Sequence, residues 1–259
     1  MVLMIGKNVV VGNNVKIHPY VYIDGNVIIE DNVEIFPFAV IGTPPEHKYA
    51  GSNERGRVYI GEGTIIREGT IITMPTGMAT YIGKRCYLMG NSHVGHDCSV
   101  YDDAILGGNA MLAGHSIVMD GAFIGDNAVV HQWSVVGSHA MVGMATPVKR
   151  NVLPFTTVWG SPPRWYKLNR IGFDRWMDSV DGVDVEAEWE VIRSMYSLPI
   201  KCLKTLGDLA SMKRHVDGAP FVIGHVERFI EYISAQEAGD KTLLQYGGLW
   251  STNELRFDI

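Results

Sequence analysis

Four of the nine histidines fall in one stretch of the chain, at His93, His96, His115 and His131. Three of them are spaced by about eighteen residues, so a fold that repeats every eighteen residues would bring their imidazoles to one edge. Such a group fits two kinds of site. Three neutral imidazoles and a water form a hydrolytic zinc centre, whereas one imidazole that titrates near neutral pH deprotonates a hydroxyl or an amine. The spacing alone leaves both open.

The repeat that would position these histidines has a period of six, which fits neither the 3.6 of an α-helix nor the 2 of an ordinary strand. Each unit of six is then one short strand and a turn with one aliphatic residue pointing inward, and three units close a triangular coil. The aliphatic positions of the main run are Ile82, Leu88, Val94, Val100, Leu106, Leu112, Val118, Ile124, Val130, Val136, Val142 and Val148.

This pattern predicts a parallel β-helix in which successive coils lie about 4.8 Å apart. Val94, Leu112 and Val130 are eighteen apart and should stack in one column, with neighbouring imidazoles beside it roughly 5–7 Å from each other. Histidines in turns are more often surface hydrogen-bonding residues, and that is the expectation for His18, His47 and His139.

The repeat also covers the N-terminal part, from Ile5 to Ile41, and it is interrupted twice. The first interruption, residues 42–57, is rich in Pro, Gly and charge, and predicts a loop expelled from the coil in place of one turn of the helix. The second, around Met74 to Thr80, shifts the register again. Two breaks in a regular solenoid suggest a functional reason.

Beyond residue 160 the apolar spacing changes to three and four, which predicts amphipathic helices over Glu186 to Tyr196, Leu206 to Val216 and Phe221 to Ala235. The sequence therefore predicts a mainly β protein with a β-helix over residues 1–160, an expelled loop at 42–57, and a small α-helical C-terminal domain over 161–259. The tail at 241–259 shows no clear pattern.

Composition narrows the possible partners and setting. Of the 259 residues, 46% are hydrophobic and 19% charged, which is ordinary for a globular protein. The formal charge of -6 argues against nucleic acid as the main partner. Three cysteines without paired metal spacing, and no stretch typical of a signal peptide or membrane span, favour a cytoplasmic protein.

The histidine segments resemble the UDP-N-acetylglucosamine O-acyltransferases of lipid A biosynthesis. The resemblance lies in GNSHVGHDC at residues 90–98, LAGH at 112–115 and VHQW at 130–133, and it extends through the helical part to about residue 235. It implies a left-handed parallel β-helix, a homotrimer with active sites between subunits, and an acyl carrier protein thioester as donor. The acceptor would be a UDP-sugar.

The same resemblance assigns roles. His96 matches the family's general base, Asp97 the carboxylate that assists it, and Gly114 the residue whose N–H faces the developing oxyanion. Met144 matches the position that limits acyl chain length, which implies a medium chain of about ten carbons with or without a 3-hydroxyl. The substrate-binding positions are matched by Glu46, Lys48, His93, His115, His131, Gln132, Asn169 and Arg175.

The sequence departs from the family in its nucleotide region. Ile171 replaces a usual acid, Trp176 a usual second arginine, and Pro45 a common polar residue. Tryptophan lacks the bidentate fork with which arginine holds phosphate, so the phosphate contacts should be weaker or built differently. Hydroxyl and amine acceptors both remain open.

A thioester donor is already activated, so the reaction needs a base, alignment and oxyanion stabilisation but no metal or redox cofactor. Three alternatives remain besides the acyltransferase. One is an acetyl-CoA-dependent sugar or amino sugar acetyltransferase. The others are a zinc carbonic anhydrase-like β-helix and a catalytically silent scaffold.

Overall fold

The computed structural model describes residues 3–51, 55–196 and 220–238, and most of them belong to very short strands. In chain order the strands are β1 (Met4–Ile5), β2 (Val9–Val11), β3 (Lys16–Ile17), β4 (Tyr22–Ile23), β5 (Val27–Ile29), β6 (Glu34–Ile35), β7 (Val40–Thr43), β8 (Arg57–Ile60), β9 (Ile65–Ile66), β10 (Ile71–Thr73), β11 (Ala79–Ile82), β12 (Tyr87–Leu88), β13 (His93–Val94), β14 (Ser99–Val100), β15 (Ile105–Leu106), β16 (Met111–Leu112), β17 (Ile117–Val118), β18 (Phe123–Ile124), β19 (Val129–Val130), β20 (Val135–Val136), β21 (Met141–Val142), β22 (Pro147–Val148), β23 (Thr156–Trp159) and β24 (Arg164–Leu168). The helices are α1 (Arg170–Met177), α2 (Val185–Met195) and α3 (Pro220–Ala238).

The strands form three parallel sheets that run along a triangular prism. Sheet A contains β1-β4-β7-β10-β13-β16-β19-β22, sheet B contains β2-β5-β8-β11-β14-β17-β20, and sheet C contains β3-β6-β9-β12-β15-β18-β21-β23 with β24 added antiparallel at its end. Each coil of the chain contributes one strand to A, then B, then C. The predicted left-handed parallel β-helix is confirmed.

The inward aliphatic residues form the core. Val94 pairs with Leu112 and Leu112 with Val130, so the predicted column exists with the predicted spacing of eighteen residues. All three side chains have no solvent exposure. Burying such a side chain contributes about 1.5–3 kcal/mol, and repeating this on every side of every coil fixes the register of the whole prism.

Both interruptions lie at one corner of the prism, where sheet A turns into sheet B, which we call the A–B corner. Ile60 pairs with Ile29 and not with Ile41, so the prediction that the first loop replaces a turn of the helix is wrong. The pairing spans 31 residues, thirteen more than the usual eighteen, because the loop is inserted between β7 and β8. The second interruption, between β10 and β11, lengthens its coil to 22 residues, as the pairing of Ile60 with Ile82 shows.

The amphipathic segments near residues 186–196 and 221–235 are helical, as predicted. The segment Leu206 to Val216 and the tail 241–259 lie outside the described residues. The division at residue 160 stays a prediction, and the pairing of β24 with β23 is a reason to place it after Leu168. Within the described part of the chain, no helix is long and apolar enough to span a bilayer.

The helices cover the corner between sheets B and C, which we call the B–C corner, and they bury His139 there. Its ring stacks on Trp176 at a centroid distance of 4.5 Å and meets His225 edge-on at 4.9 Å. His139 is only 4% exposed, so the expectation of a surface role is wrong for this histidine. Sequence pattern missed this because the covering residues lie on α1 and α3, far along the chain.

Burial of these imidazoles should make stability depend on pH. Burial lowers the pKa of His139 to about 3 and that of His225 to about 4, so both are neutral in the folded protein near neutral pH. The unfolded chain binds protons below about pH 6.5 and the folded chain does not, so stability falls as the pH drops through 6.5 towards 4. Each of these two histidines should lower the free energy of unfolding by about 2 kcal/mol between pH 7 and 5.

Urea denaturation at pH 7 and pH 5 measures this loss. His139→Phe keeps the stacked ring and should reduce the loss by about 2 kcal/mol. His18→Phe is the matched control, because His18 is partly exposed beside Glu34. An unchanged pH dependence in His139→Phe would contradict the assignment.

Candidate active site

The A–B corner brings together His96 and His115 from successive coils. Their ring centroids are 5.0 Å apart at 88°, in the predicted range. Asp97 and His115 both have positive φ, of 60° and 64°. This left-handed conformation, unusual outside glycine and asparagine, turns the chain sharply between sheets A and B and occurs at equivalent positions of successive coils.

His96 and Asp97 form a buried pair. The Nδ1 of His96 lies 2.9 Å from Oδ2 of Asp97, and the residues are only 7% and 5% exposed. A carboxylate in this position accepts a hydrogen bond from the Nδ1–H, which leaves the lone pair on Nε2. Nε2 is therefore the atom that can take a proton from a substrate.

The second interruption supplies the remaining hydrogen bonds to Asp97. Thr76 donates to Oδ2 from its N–H at 2.9 Å and its hydroxyl at 2.7 Å, and the Gly77 N–H donates to Oδ1 at 2.7 Å. The Asp97 N–H in turn donates to Thr80 Oγ1 at 3.0 Å. The residues inserted at this register shift therefore surround a buried carboxylate with hydrogen-bond donors.

These donors decide the ionisation of the pair. Burial by itself would raise the pKa of Asp97, but hydrogen bonds from His96, Thr76 and Gly77, with the nearby His115, outweigh burial and hold the pKa below its usual range. Burial lowers the pKa of His115 to about 4, and Asp97 offsets only part of that effect. Near neutral pH, Asp97 is therefore ionised and His115 is neutral.

Gly114 lies against the reactive edge of His96. A Cβ at this position would stand 2.6 Å from Nε2 and 2.5 Å from Cε1 of the imidazole, closer than real contacts allow. The site therefore requires glycine here. In the described residues, the Gly114 N–H has no main-chain acceptor.

Other predicted residues lie around this centre. His93 is on the outward face of sheet A, with its Nε2 3.2 Å from Oε2 of Glu46 in an orientation that makes no hydrogen bond. The Lys48 ammonium lies 5.5 Å from the centroid of the Tyr49 ring. His131 and Gln132 are exposed in the turn one coil beyond His115. The first loop and three successive turns thus border one site.

Two aromatic neighbours were missed by the sequence analysis. Trp133 stacks on His115 at 3.9 Å with an angle of 8°, in the place where His131 was expected. His47, expected to be a simple surface residue, is exposed but has its ring 5.6 Å from that of His96. The signal for Trp133 was its spacing of eighteen residues from His115, but a tryptophan carries no catalytic signature.

The nucleotide-region residues lie elsewhere on the subunit. Asn169 is nearly buried as the N-cap of α1, where its Oδ1 accepts from the Gly172 N–H at 3.2 Å and its Nδ2 donates to the His139 carbonyl at 2.8 Å. Arg175 is exposed and lines a cleft of about 670 Å³ at the B–C corner. Trp176 stands where the family usually has an arginine. An arginine at this position would remove the indole ring that stacks on His139.

A metal is another possible occupant of the A–B corner, since His96, Asp97 and His115 each offer a ligand atom within 4.8 Å of the others. The Asp97 carboxylate, however, already accepts hydrogen bonds from four donors. Binding a cation through Asp97 would displace some of them. The geometry therefore favours an acid–base pair over a zinc centre.

Comparisons with known proteins agree with the repeat and the fold. Residues 5–43 match the family model described as bacterial transferase hexapeptide (six repeats). The chain is 36% identical over 194 residues to an acyl-(acyl-carrier-protein)–UDP-N-acetylglucosamine O-acyltransferase of Gloeothece citriformis, covering 74% of this chain and 69% of the relative. It is 35% identical over 214 residues to the enzyme of the same name from Synechocystis, covering 82% and 74%.

A solved structure of LpxA from Acinetobacter baumannii is also similar. Its TM-score is 0.76 at 25% identity, and the match covers 87% of this chain and 95% of that one. A UDP-N-acetylglucosamine acyltransferase from Bacteroides fragilis matches with a TM-score of 0.69 at 25% identity, covering 89% and 94%. Both matches extend past the β-helix into the helical part.

Replacing Gly114 by alanine tests the geometry of the pair. The added Cβ should push the His96 imidazole off Asp97, and a displacement of about 1 Å costs on the order of 10²-fold in turnover for a reaction that uses His96 as its base. The proton resonance of His96 Nδ1, which NMR detects, should shift or disappear. Gly108→Ala is the matched control, because a Cβ there meets its nearest atoms at an ordinary 3.7 Å. A normal Nδ1 resonance and turnover in Gly114→Ala would contradict the contact.

Proposed function

Since the chain belongs to the family of acyl carrier protein-dependent UDP-N-acetylglucosamine O-acyltransferases, we propose how its A–B corner carries out the transfer. The enzyme moves an acyl group from acyl carrier protein to UDP-N-acetylglucosamine, the first step of lipid A biosynthesis. The observation that carries the assignment of residues is the His96–Asp97 hydrogen bond, which directs Nε2 at the main chain of Gly114.

In this mechanism His96 Nε2 removes the proton of the 3-hydroxyl as its oxygen attacks the thioester carbon. The ionised Asp97 stabilises the imidazolium that forms. The carbonyl oxygen becomes an oxyanion, which the Gly114 N–H stabilises by a contribution of about 3–4 kcal/mol. When the tetrahedral intermediate collapses, the C–S bond breaks and the thiolate takes the proton from His96. No step needs a cofactor.

The neighbouring residues would hold the acceptor. His115 is neutral and fixed by Trp133, so it can exchange a hydrogen bond with the sugar without repelling the His96 imidazolium. Glu46, Lys48, His93, His131 and Gln132 border the same corner and are proposed to contact the sugar nucleotide. Asn169 and Arg175 are proposed to contact the nucleotide, although the Asn169 amide would have to exchange its present partners.

A homotrimer is also proposed. The outward face of sheet A beside the site carries His93, Met111, Val129 and Pro147, and Met111 and Val129 are 47% and 41% exposed. An apolar face next to catalytic groups suits contact with a second copy. An active site between subunits would then be completed by assembly.

Incubation with UDP-N-acetylglucosamine and a series of acyl carrier protein thioesters, with products identified by mass spectrometry, tests the reaction. His96→Ala should lower kcat by about 10²–10⁴-fold, because it removes the base. His115→Ala should be less harmful, because it positions the substrate without transferring a proton. Sedimentation equilibrium is the control for assembly and should give the mass of three chains for every variant. A near-normal rate in His96→Ala would remove it from the mechanism.

Free acetyl-CoA as a competing donor tests the alternative of a sugar acetyltransferase, and a 3-amino analogue of the acceptor tests amide formation. Preferred use of acetyl-CoA would overturn the assigned donor. A base-stable amide formed faster than the ester would show an amine acceptor.

Acyl length is proposed to depend on Met144. Its side chain is 54% exposed at the corner between sheets C and A, three coils beyond His96 and at the other edge of sheet A. It can therefore stop an acyl chain only in a groove that a second copy helps to form. A methionine there fills the volume of roughly three or four methylenes, each worth about 0.8 kcal/mol when buried.

The native enzyme should therefore prefer a chain of about ten carbons, and Met144→Gly should move the preference towards fourteen. Competition between acyl carrier proteins that carry ten- and fourteen-carbon chains, each with and without a 3-hydroxyl, measures the ratio of kcat/KM. Met4→Gly, which removes an equally exposed methionine at the opposite end of the prism, is the control. Equal use of both lengths by the native enzyme would show that Met144 does not limit the length of the acyl chain.

A further inference from the structure

The carboxylate of Asp97 faces two imidazoles. Its Oδ2 lies 2.9 Å from Nδ1 of His96 and 3.8 Å from Nε2 of His115. A carboxylate holds a cationic hydrogen-bond donor more strongly than a neutral one, so a protonated His115 would compete with His96 for the same oxygen. It would also repel the imidazolium that forms on His96 during the reaction. The site therefore works only while His115 is neutral.

The groups around His115 act on its charge in opposite directions. Asp97 favours the protonated form, whereas His96 in the same turn as Asp97 and His47 in the first loop oppose it. Burial is the largest effect, and it lowers the pKa of His115 to about 4. Exclusion of water is thus what keeps this imidazole neutral beside a carboxylate.

Trp133 covers one face of the His115 ring. It lies in the next turn, and its indole is parallel to the imidazole within 8° at a centroid distance of 3.9 Å. His131 and Gln132 in that turn are exposed, so the indole is the part of the turn that shields the ring. An aromatic face also attracts cations, which would raise the pKa of the imidazole by about 1. That rise is smaller than the fall that burial imposes on His115.

We propose that Trp133 is a positioning residue that reserves the Asp97 carboxylate for His96 by keeping water away from His115. The inference rests on the proposed function, in which His96 is the base and Asp97 stabilises its imidazolium. Trp133 acts through His115 and takes no part in the proton transfer. Without the indole, His115 binds a proton as the pH falls below about 6.5, pairs with Asp97 and leaves His96 without its partner. Activity is then lost at acid pH and retained at alkaline pH.

The test is Trp133→Ala, which opens this face of His115 to water. The pH dependence of kcat/KM for UDP-N-acetylglucosamine is measured, because it reports the ionisation of groups in the free enzyme. Relative to the native enzyme, kcat/KM should be close to unchanged at pH 8.5 and roughly tenfold lower at about pH 5.5, one unit below the ordinary pKa of histidine. NMR titration of labelled histidine should show the pKa of His115 rising from about 4 to about 6.5 or above.

Trp133→Leu is the matched control, because it keeps an apolar cover over the imidazole and should retain the native pH profile. Trp165→Ala removes another indole, which lies on β24, and should also leave the profile unchanged. Combining Trp133→Ala with His115→Asn removes the group that titrates, so the loss specific to acid pH should disappear. Circular dichroism at each pH checks that every variant is folded.

Three outcomes would overturn the proposal. An equal loss at every pH would make Trp133 a structural residue only, and an unchanged profile in Trp133→Ala would show that His115 needs no cover. An acid loss of the same size in Trp133→Leu would rule out exclusion of water as the cause. All three leave the proposed function intact, because the native enzyme still transfers the acyl group. Failure of the native enzyme to use any acyl carrier protein thioester would instead refute the proposed function itself.

Discussion

Parallel stacking of one coil on the next is the constraint on which this structure depends. Each inward aliphatic residue is buried only because an equivalent residue lies directly above and below it. A slip by one residue would turn a whole row of side chains outward, so the register is strongly fixed. Once it is fixed, turn residues eighteen apart also stack, and a column of side chains with catalytic chemistry becomes possible at a corner. The site is thus a consequence of the core.

The two insertions add residues at one corner and leave the stacking of the core residues unchanged. Both leave the prism at the A–B corner, on the coils that precede His96, and the core pairing of Ile29 with Ile60 and Ile60 with Ile82 continues across them. One insertion brings Glu46 and His47 to the site, and the other brings Thr76 and its donors. Uniform turns alone would lack the Thr76 and Gly77 donors that surround the Asp97 carboxylate.

A buried carboxylate is costly unless it is hydrogen-bonded, and Asp97 shows how the cost is met. Its donors come from the residue beside it and from the preceding coil, so the carboxylate stays ionised at 5% exposure. At the B–C corner, by contrast, the buried imidazole groups are uncharged. There burial lowers the pKa of His139 and of His225, and both stay neutral although Asp120 Oδ2 lies 3.9 Å from the Nδ1 of His225. Two histidine-rich corners of one fold therefore serve different ends, one for proton transfer and one for packing the helices.

The sequence by itself determined the prism and its column of Val94, Leu112 and Val130, because these follow from a short periodic pattern, while its resemblance to a known family indicated the pairing of His96 with Asp97. It also located both interruptions. Only the tertiary structure decided that they leave at the same corner, that Thr76 and Gly77 hold Asp97, that Trp133 stacks on His115, and that Trp176 covers His139. These contacts join residues eighteen or more positions apart in the chain, and neither periodicity nor residue type specifies which of several exposed corners a loop or helix will pack against. That choice depends on the shapes brought together once the coils have stacked.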